Sequence, residues 1–516
     1  MKYIIDFLDT ATQEQIDSWL ASNNITTSKR VTTRSNVFVV ESVVAPTATD
    51  LVDEITEDSN VSAKLLNTAE VIPAATTVTA TFDHDADWWK TASAGELEFA
   101  DTSTTYEKRG ARTNVYVVDS GVMQSHSEFA DVNVQNLFSF NGDFSDTNGH
   151  GTAIASVIAG VNLGITNSVI KNVKVFDSSK TTMTSDLVAA FDAILDDIIA
   201  NKDSASIVNL SWSIPKDEYL ESKIQALINA GALVVASAGN SGVPIEQVTP
   251  ASMEAVFTIG AYTEDFEPAE FSNYTSTTKN TQNATNFGAL DAWAPGTNIQ
   301  VATIDGNVGT AAGTSIATGI MSACLAYNSN LMYTETQVVP SFSNFLIDIT
   351  LRKANLLTLS DKYEGSVNIL ASFSHKAGPG LTSGHYTATR VVYANTDVYA
   401  FLAFNSMVQK IELSGVLPEG LSLSNGWIVG RMANPPAETQ TLDYEVTATF
   451  NTGEVHVFTL YLILAPESVM PGDSPVGIDL SVVCTWNTVG CTSGGCSGYC
   501  RECEKYDCSC SNLECR

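Results

Sequence analysis

The chain has 516 residues, 44 % of them hydrophobic, and its 26 basic side chains are outnumbered by 58 acidic ones for a net charge of −32. That length exceeds one ordinary core and predicts roughly two to four domains. The charge excludes nucleic acid or an anionic membrane as the expected partner, since phosphate binding needs clustered Lys and Arg. No apolar run reaches the roughly 18–20 residues that cross a bilayer, so no membrane span is expected.

Residues 1–75 open with MKYIIDFLDTATQEQ, whose apolar start is broken by Asp6 and Asp9. A secretory signal needs roughly 7–15 uninterrupted apolar residues, so export would take another route. YIIDFL and NVFVVES read as strands, ATQEQIDSWLASN and TATDLVDEITED as helices, together a small α+β domain. The Thr- and Ala-rich AEVIPAATTVTATFD follows. Residues 76–90 are expected to be a linker open to processing, with a cut between about Asn67 and Asp87.

The next stretch, 91–360, carries the chemistry. Asn114–Val118 is a β-branched run that ends at Asp119 and turns at Ser120-Gly121. This puts a carboxylate at the carboxyl end of a buried strand, where functional groups gather in open parallel sheets. In NGHGTAIASVIAG small and apolar residues recur at helical spacing, so His150 rides the start of a buried helix, with Gly149 and Gly151 permitting close approach. Leu233–Val235 leads into ASAGNSG and presents Asn240 beside glycines. GTSIATG sets Ser315 at the N-terminus of a second buried helix, IATGIMSACLAY, whose free N–H groups favour negative charge. Cys324 on that helix reads as a packing residue.

A serine hydroxyl is a weak nucleophile near neutral pH, so an imidazole must take its proton and a carboxylate must fix the imidazole tautomer. Ser315, His150 and Asp119 supply those groups, and Asn240 with the helix N–H groups would hold a developing oxyanion. An isolated Asp after a strand, or an Asn beside glycine, is most often a cap or turn residue. Only the motifs taken together therefore point to a triad. His126 is read as structural, and His84, His375, His385 and His456 have no supporting motif.

VYVVDSGVMQSHSEF, NGHGTAIASVIAG, VKVFD, IVNLSWS, VVASAGNSG, TPAS, FSNY, APGTNI and GTSIATG follow one another from about Trp88 to about Tyr327. In this order they resemble the subtilisin-like serine proteases and, within them, the proteinase K-like branch. The resemblance implies an α/β fold with a subtilisin-like parallel sheet flanked by helices, and an endopeptidase working through an acyl-enzyme. Asp119, His150 and Ser315 would be its triad and Asn240 its oxyanion donor. Ser211, Trp212 and Ser213 would form an edge strand pairing with an extended protein or peptide substrate. Ser237, Ala238 and Gly239 would wall the specificity pocket and Val248–Ala251 would floor it, admitting a sizeable apolar or aromatic side chain.

No cofactor is implied for the chemistry. A structural calcium is implied on Asp291, Glu254 and Val256, beside the reading of Asp291 as a solvated surface residue. Residues 1–75 resemble the family's inhibitory propeptides, which would make the chain's own N-terminal domain the inhibitor of a self-processing zymogen. A plain accessory domain is the other reading. The chain departs from the family in three places: Gly319 replaces a usual proline, Trp212 and Ser213 replace Leu and Gly, and SSKTTMT (Ser178–Thr184) replaces a glycine-rich edge strand.

Residues 365–466 alternate as RVVYAN, YAFLAF, QKIELSG, YEVTATF and VHVFTLYLIL, the pattern of a β-sandwich. GVLPEGLSLSNGWIVGRM within it resembles an immunoglobulin-like repeat of bacterial surface and phage virion proteins, a binding or spacer module. Residues 484–516 hold Cys484, Cys491, Cys496, Cys500, Cys503, Cys508, Cys510 and Cys515. So short a segment needs a staple, either four disulfides or two thiolate zinc sites. Disulfides imply an oxidising compartment, and an extracellular or virion-associated location reconciles them with the missing signal. The second functional reading is a virion or surface structural or adhesion protein, whose protease-like domain acts only in maturation or is inactive.

Overall fold

The computed structural model describes residues 1–8, 11–31, 36–49, 51–62, 87–94, 108–201, 204–245, 248–253, 255–275, 290–329, 351–353, 369–371, 387–394, 397–402, 408–424, 426–450 and 455–466. The Cys-rich tail and the expected processing window up to residue 86 lie outside them. Two compact units divide the chain, the first covering Met1–Glu335 with Phe342–His375 and the second built mainly from Lys376–Val469.

The first unit begins with β1 (Lys2–Phe7), α1 (Gln13–Ser22), β2 (Ser28–Arg30), β3 (Val37–Glu41) and β4 (Val52–Glu57), which form one sheet in the order β2-β3-β1-β4. Tyr3, Ile5 and Phe7 point to one face of β1 and bury against Ile16, Trp19 and Leu20 of α1. Thr12 and Gln15 close the helix with a reciprocal capping box. The helix expected over TATDLVDEITED is instead strand β4. Leu51 and Ile55 are spaced as on a helix, but β1 pairs with this segment through Ile5↔Ile55, and Val52 and Ile55 pack on the α1 core. Tertiary pairing overrode a local pattern that suited either state.

After β5 (Asn60–Ser62), helix α2 (Trp88–Ala94) is part of the main body, with Trp89, Lys90 and Ala92 buried. Residues 88–90 of the expected 76–90 linker therefore lie in this helix. The strands β6 (Thr113–Asp119), β7 (Val134–Ser139), β8 (Val169–Lys174), β10 (Ala205–Leu210), β12 (Leu233–Ser237), β14 (Phe257–Tyr262), β15 (Ala292–Pro295), β18 (Leu351–Lys353) and β19 (Ile369–Ala371) make the main sheet. Its order is β18-β19-β15-β14-β12-β10-β6-β8-β7, parallel throughout except for β18. The inner strands are buried on both faces, as parallel strands covered by helices must be. Helix α3 (His150–Ala159) packs on α6 (Thr314–Asn328), and α4 (Thr184–Ala200) on α5 (Glu218–Asn229), two pairs that flank the sheet. Smaller ladders join β9 (Thr181–Met183) to β5, β11 (Ile214–Pro215) to β13 (Val248–Thr249), and β16 (Ile299–Ala302) to β17 (Val308–Ala311).

The second unit has β20 (Thr387–Val392), β25 (Gln440–Phe450), β26 (Val455–Leu464) and β22 (Val408–Leu413) in one sheet, and β21 (Asp397–Phe401), β23 (Leu421–Ser424) and β24 (Trp427–Arg431) in another. Val398, Ala400 and Ile428 of the smaller sheet share one core with Val446, Ala448, Leu460 and Leu462 of the larger.

Candidate active site

The carboxyl ends of β6, β10 and β12, three adjacent parallel strands, deliver Asp119, Ser211 and Asn240 to one end of the sheet. Asp119 is fully buried, and its carboxylate meets His150 Nδ1 at 2.9 and 2.8 Å. Ser120 N also donates to it, at 2.7 Å. Gly151 makes this approach possible, because a Cβ there would stand 2.2 Å from the Gly121 carbonyl and 3.1 Å from Asp119 Cβ. His150 is 3 % exposed, and its Nε2 is buried without a hydrogen-bond partner.

Helix α6 brings Ser315 alongside. Gly319, four residues past Ser315, lies where a Cβ would come within 2.9 Å of Val157 and 3.4 Å of Ile154, the latter four residues past His150. The two helices therefore run side by side from the same end, and the absence of proline at 319 has a packing reason. Ser315 Oγ donates to the Ser211 carbonyl, and Ser211 Oγ donates to the Ser315 carbonyl at 3.0 Å. Asn240 accepts at Oδ1 from Thr314 N and Oγ1 at 3.0 and 2.8 Å, and its Nδ2 makes no hydrogen bond among the described residues.

Motif reading passed over Asp146, which organises the His150 helix. Its Oδ1 accepts from Ser120 Oγ, Asn148 N and Gly149 N at 2.8–2.9 Å, and its Oδ2 from Thr152 N and Oγ1 at 2.9 and 2.7 Å. Ser120 Oγ in turn accepts from Gly151 N at 3.0 Å. The rule that an acidic residue precedes a helix start would have found it. Asn273 was missed likewise: it donates to the Ala238 carbonyl at 2.8 Å and accepts from Ser241 N and Val243 N at 3.0 and 3.1 Å, bracing the loop that bears Asn240.

The expected substrate and pocket residues fall in two groups. Ser237, Ala238 and Gly239 are buried at the end of β12, and Gly239 N donates to Thr314 Oγ1 at 3.1 Å. Ser211–Ser213 lies between β10 and β11 rather than in a strand. The Trp212 side chain, in the stretch expected to pair with substrate, is fully buried: its indole N–H donates to the Val118 carbonyl at 2.9 Å and its ring meets Phe176 edge-on at 5.7 Å. The expected facing edge, SSKTTMT, contains β9, which pairs antiparallel with β5 from Asn60↔Met183 to Ser62↔Thr181. His126 is structural as expected, with Nε2 bonded to the Asn307 carbonyl at 2.9 Å and Nδ1 accepting from Glu128 N at 3.1 Å.

Of the three residues expected to hold calcium, two are described. Asp291 Oδ2 accepts from Thr258 N at 2.9 Å, Val256 is buried, and Glu254 lies outside the described residues. Among the described residues no group of three or more His, Cys, Asp or Glu could hold a metal.

Residues 110–358 match the family model of the subtilases. This stretch is a subtilase domain. The chain is 30 % identical over 244 residues to an alkaline proteinase of Hapsidospora chrysogena, covering 46 % of this chain and 58 % of that protein, less than two thirds of its length. It is 29 % identical over 258 residues to proteinase T of Parengyodontium album, covering 49 % and 83 %. Among solved structures it is similar in fold to the epidermin leader peptide processing serine protease of Staphylococcus aureus, at 17 % identity and a TM-score of 0.54 over 72 % of this chain and 96 % of that one. The subtilase domain thus ends well short of the chain's C-terminus. Among the described residues no helix is long and apolar enough to cross a membrane.

Proposed function

We propose that the chain is a serine endopeptidase that cleaves protein or peptide substrates through an acyl-enzyme. The observation that carries this reading is the bonding of Asp119 to His150 at the N-terminus of one helix, beside a parallel helix with Ser315 in its first turn. Ser315 Oγ turns from the Ser211 carbonyl to His150 Nε2, which removes its proton as the hydroxyl attacks. Asp119 holds Nδ1–H and steadies the imidazolium. Asn240 Nδ2 and Ser315 N, both without partners among the described residues, receive the oxyanion. The protonated His150 then donates to the leaving amine, and water repeats the sequence on the acyl-enzyme. Ser211–Ser213 and β9 take the extended substrate between them, with Ser237–Gly239 and Val248–Ala251 around its selected side chain. Calcium carries no step.

Residues 1–75 act as the chain's own inhibitor. Asp58 accepts from Ser185 N and Oγ at 3.2 Å at the start of α4, and buried Asp6 accepts from Tyr219 and Lys223 of α5 at 3.4 and 3.3 Å. The β5–β9 register sends the chain toward Ser178, whose carbonyl accepts from Asn148 at 3.4 Å beside His150. This direction supports self-processing in the following linker. Residues 365–466 serve as an immunoglobulin-like spacer or binding module, and the cysteine-rich tail suits an extracellular or virion-associated location. Intact-mass measurement of wild type and Ser315→Ala tests the zymogen reading. A cut between residues 67 and 87 only in wild type is the expected result, and equal masses would refute it.

A further inference from the structure

We propose that Glu221 is a positioning residue for the specificity pocket: from α5 it holds the pocket floor in register with the substrate-pairing stretch, and so sets how large a side chain is selected. The inference rests on the reading of Ser211–Ser213 and Val248–Ala251 given above.

Glu221 belongs to the run DEYLESK, which reads as a solvated helix start, yet it is only 1 % exposed. Its Oε1 accepts the hydroxyl of Thr249, fully buried on the pocket floor, at 2.6 Å. Hydrogen bonds to carboxylates are shorter and stronger than those between neutral groups. The Thr249 hydroxyl also accepts from Asp217 N at 3.0 Å, and Asp217 caps α5 through Leu220 N at 3.0 Å. Thr249 is therefore held from two points at the start of one helix.

That grip reaches the substrate. β13 pairs with β11 through only two positions, Ile214↔Thr249 and Pro215↔Val248. So short a ladder does little to fix its own register, and a one-residue slip would turn each side chain to the other face. β11 follows directly on Ser211–Ser213, and Ser211 is bonded to Ser315. The far end of the floor is tied separately, Thr258 Oγ1 donating to the Ala251 carbonyl at 3.0 Å. Glu221 thus fixes the near end, between the nucleophile's neighbour and the pocket bottom, while touching neither substrate nor reacting atoms.

The test compares full-length wild type, E221A, E221Q and T249V on two peptides that differ only in the residue before the cleaved bond, phenylalanine or alanine. The readout is the ratio of kcat/KM for the first peptide over the second. E221A should lower this ratio about tenfold, through KM rather than kcat. E221Q, whose amide oxygen accepts the same hydroxyl, should stay within about twofold, and the E221A/T249V pair should lose no more than the larger single change. An unchanged ratio in E221A, additive losses in the pair, or a wild-type ratio near one overturns the proposal. If E221A fails to fold, T249V decides alone: a ratio equal to wild type refutes the role. A wild type that cleaves neither peptide and takes no fluorophosphonate label at Ser315 would sink the underlying protease reading instead.

Discussion

The helices that bear His150 and Ser315 start at the same end of the sheet, each after a glycine that offers no side-chain cap, and they are finished in opposite ways. At α3 side chains close off three of the free donors: Asp146 takes Gly149 N at 2.8 Å and Thr152 N at 2.9 Å, and Ser120 takes Gly151 N at 3.0 Å. At α6 Gly313 N bonds to the Gly296 carbonyl at 2.8 Å and Thr314 N to Asn240 at 3.0 Å, while Ser315 N has no partner among the described residues. A helix start always leaves about four N–H groups to satisfy. Sealing most of them holds the start of α3 in place under the imidazole, and the open Ser315 N at α6 is what the proposed oxyanion role needs. The far end of α3 is closed too: Lys108 and Lys90 donate to the Gly160 and Asn162 carbonyls, cations where the helix dipole favours them.

Four changes break or sharpen that contrast. Ser315→Ala removes the group the open end serves and should lower kcat roughly 10^6-fold, the loss the same change causes in subtilisin. Steady-state peptide hydrolysis measures it. Asn240→Leu leaves the nucleophile in place but removes a side-chain donor, and kcat should drop about 10^2–10^3-fold with little change in KM. Asp146→Ala unseals α3. Three backbone donors, at Asn148, Gly149 and Thr152, lose their acceptor, so stability should fall by about 2–4 kcal/mol. Calorimetry in a Ser315→Ala background would record this as a lower melting midpoint, and kcat of the otherwise wild-type protein should fall about tenfold as the imidazole loses its mount.

The smallest effect is at the other end of α3. Burial, and then the neighbouring charge of Lys90, lowers the Lys108 ammonium to about 8 from its ordinary 10.5. Between those values the unfolded chain binds more protons than the folded one, so this group makes stability rise with pH from about 8 to 10.5. Lys108→Met should flatten that rise, as denaturant midpoints taken across the interval would reveal.

How much of this was legible in the sequence follows from where each determinant lies. Asp119, His150, Ser315 and Asn240 were readable because each ends a strand or starts a helix, so that its neighbours within a few residues dictate its setting. Asp146 was within the same reach, as an acid ahead of a helix, although it stands four residues before His150 and not at the cap itself, which is Gly149. Glu221 was out of reach, because its partner Thr249 lies 28 positions further along the chain. Trp212 stood in a motif expected to face the substrate, while its side chain turns into the core toward Val118 and Phe176. The misread β4 failed for the same reason: Leu51 and Ile55 fit a helix, and only β1, far upstream, makes them a strand.

The most direct test of the site is to treat the full chain with a fluorophosphonate and locate the adduct by peptide mass spectrometry, in wild type and in His150→Ala. A single adduct on Ser315 that disappears when the imidazole is removed is the predicted result. An adduct on another serine, or labelling of Ser315 at an undiminished rate in His150→Ala, would contradict the assembly of Asp119, His150 and Ser315 into one nucleophile.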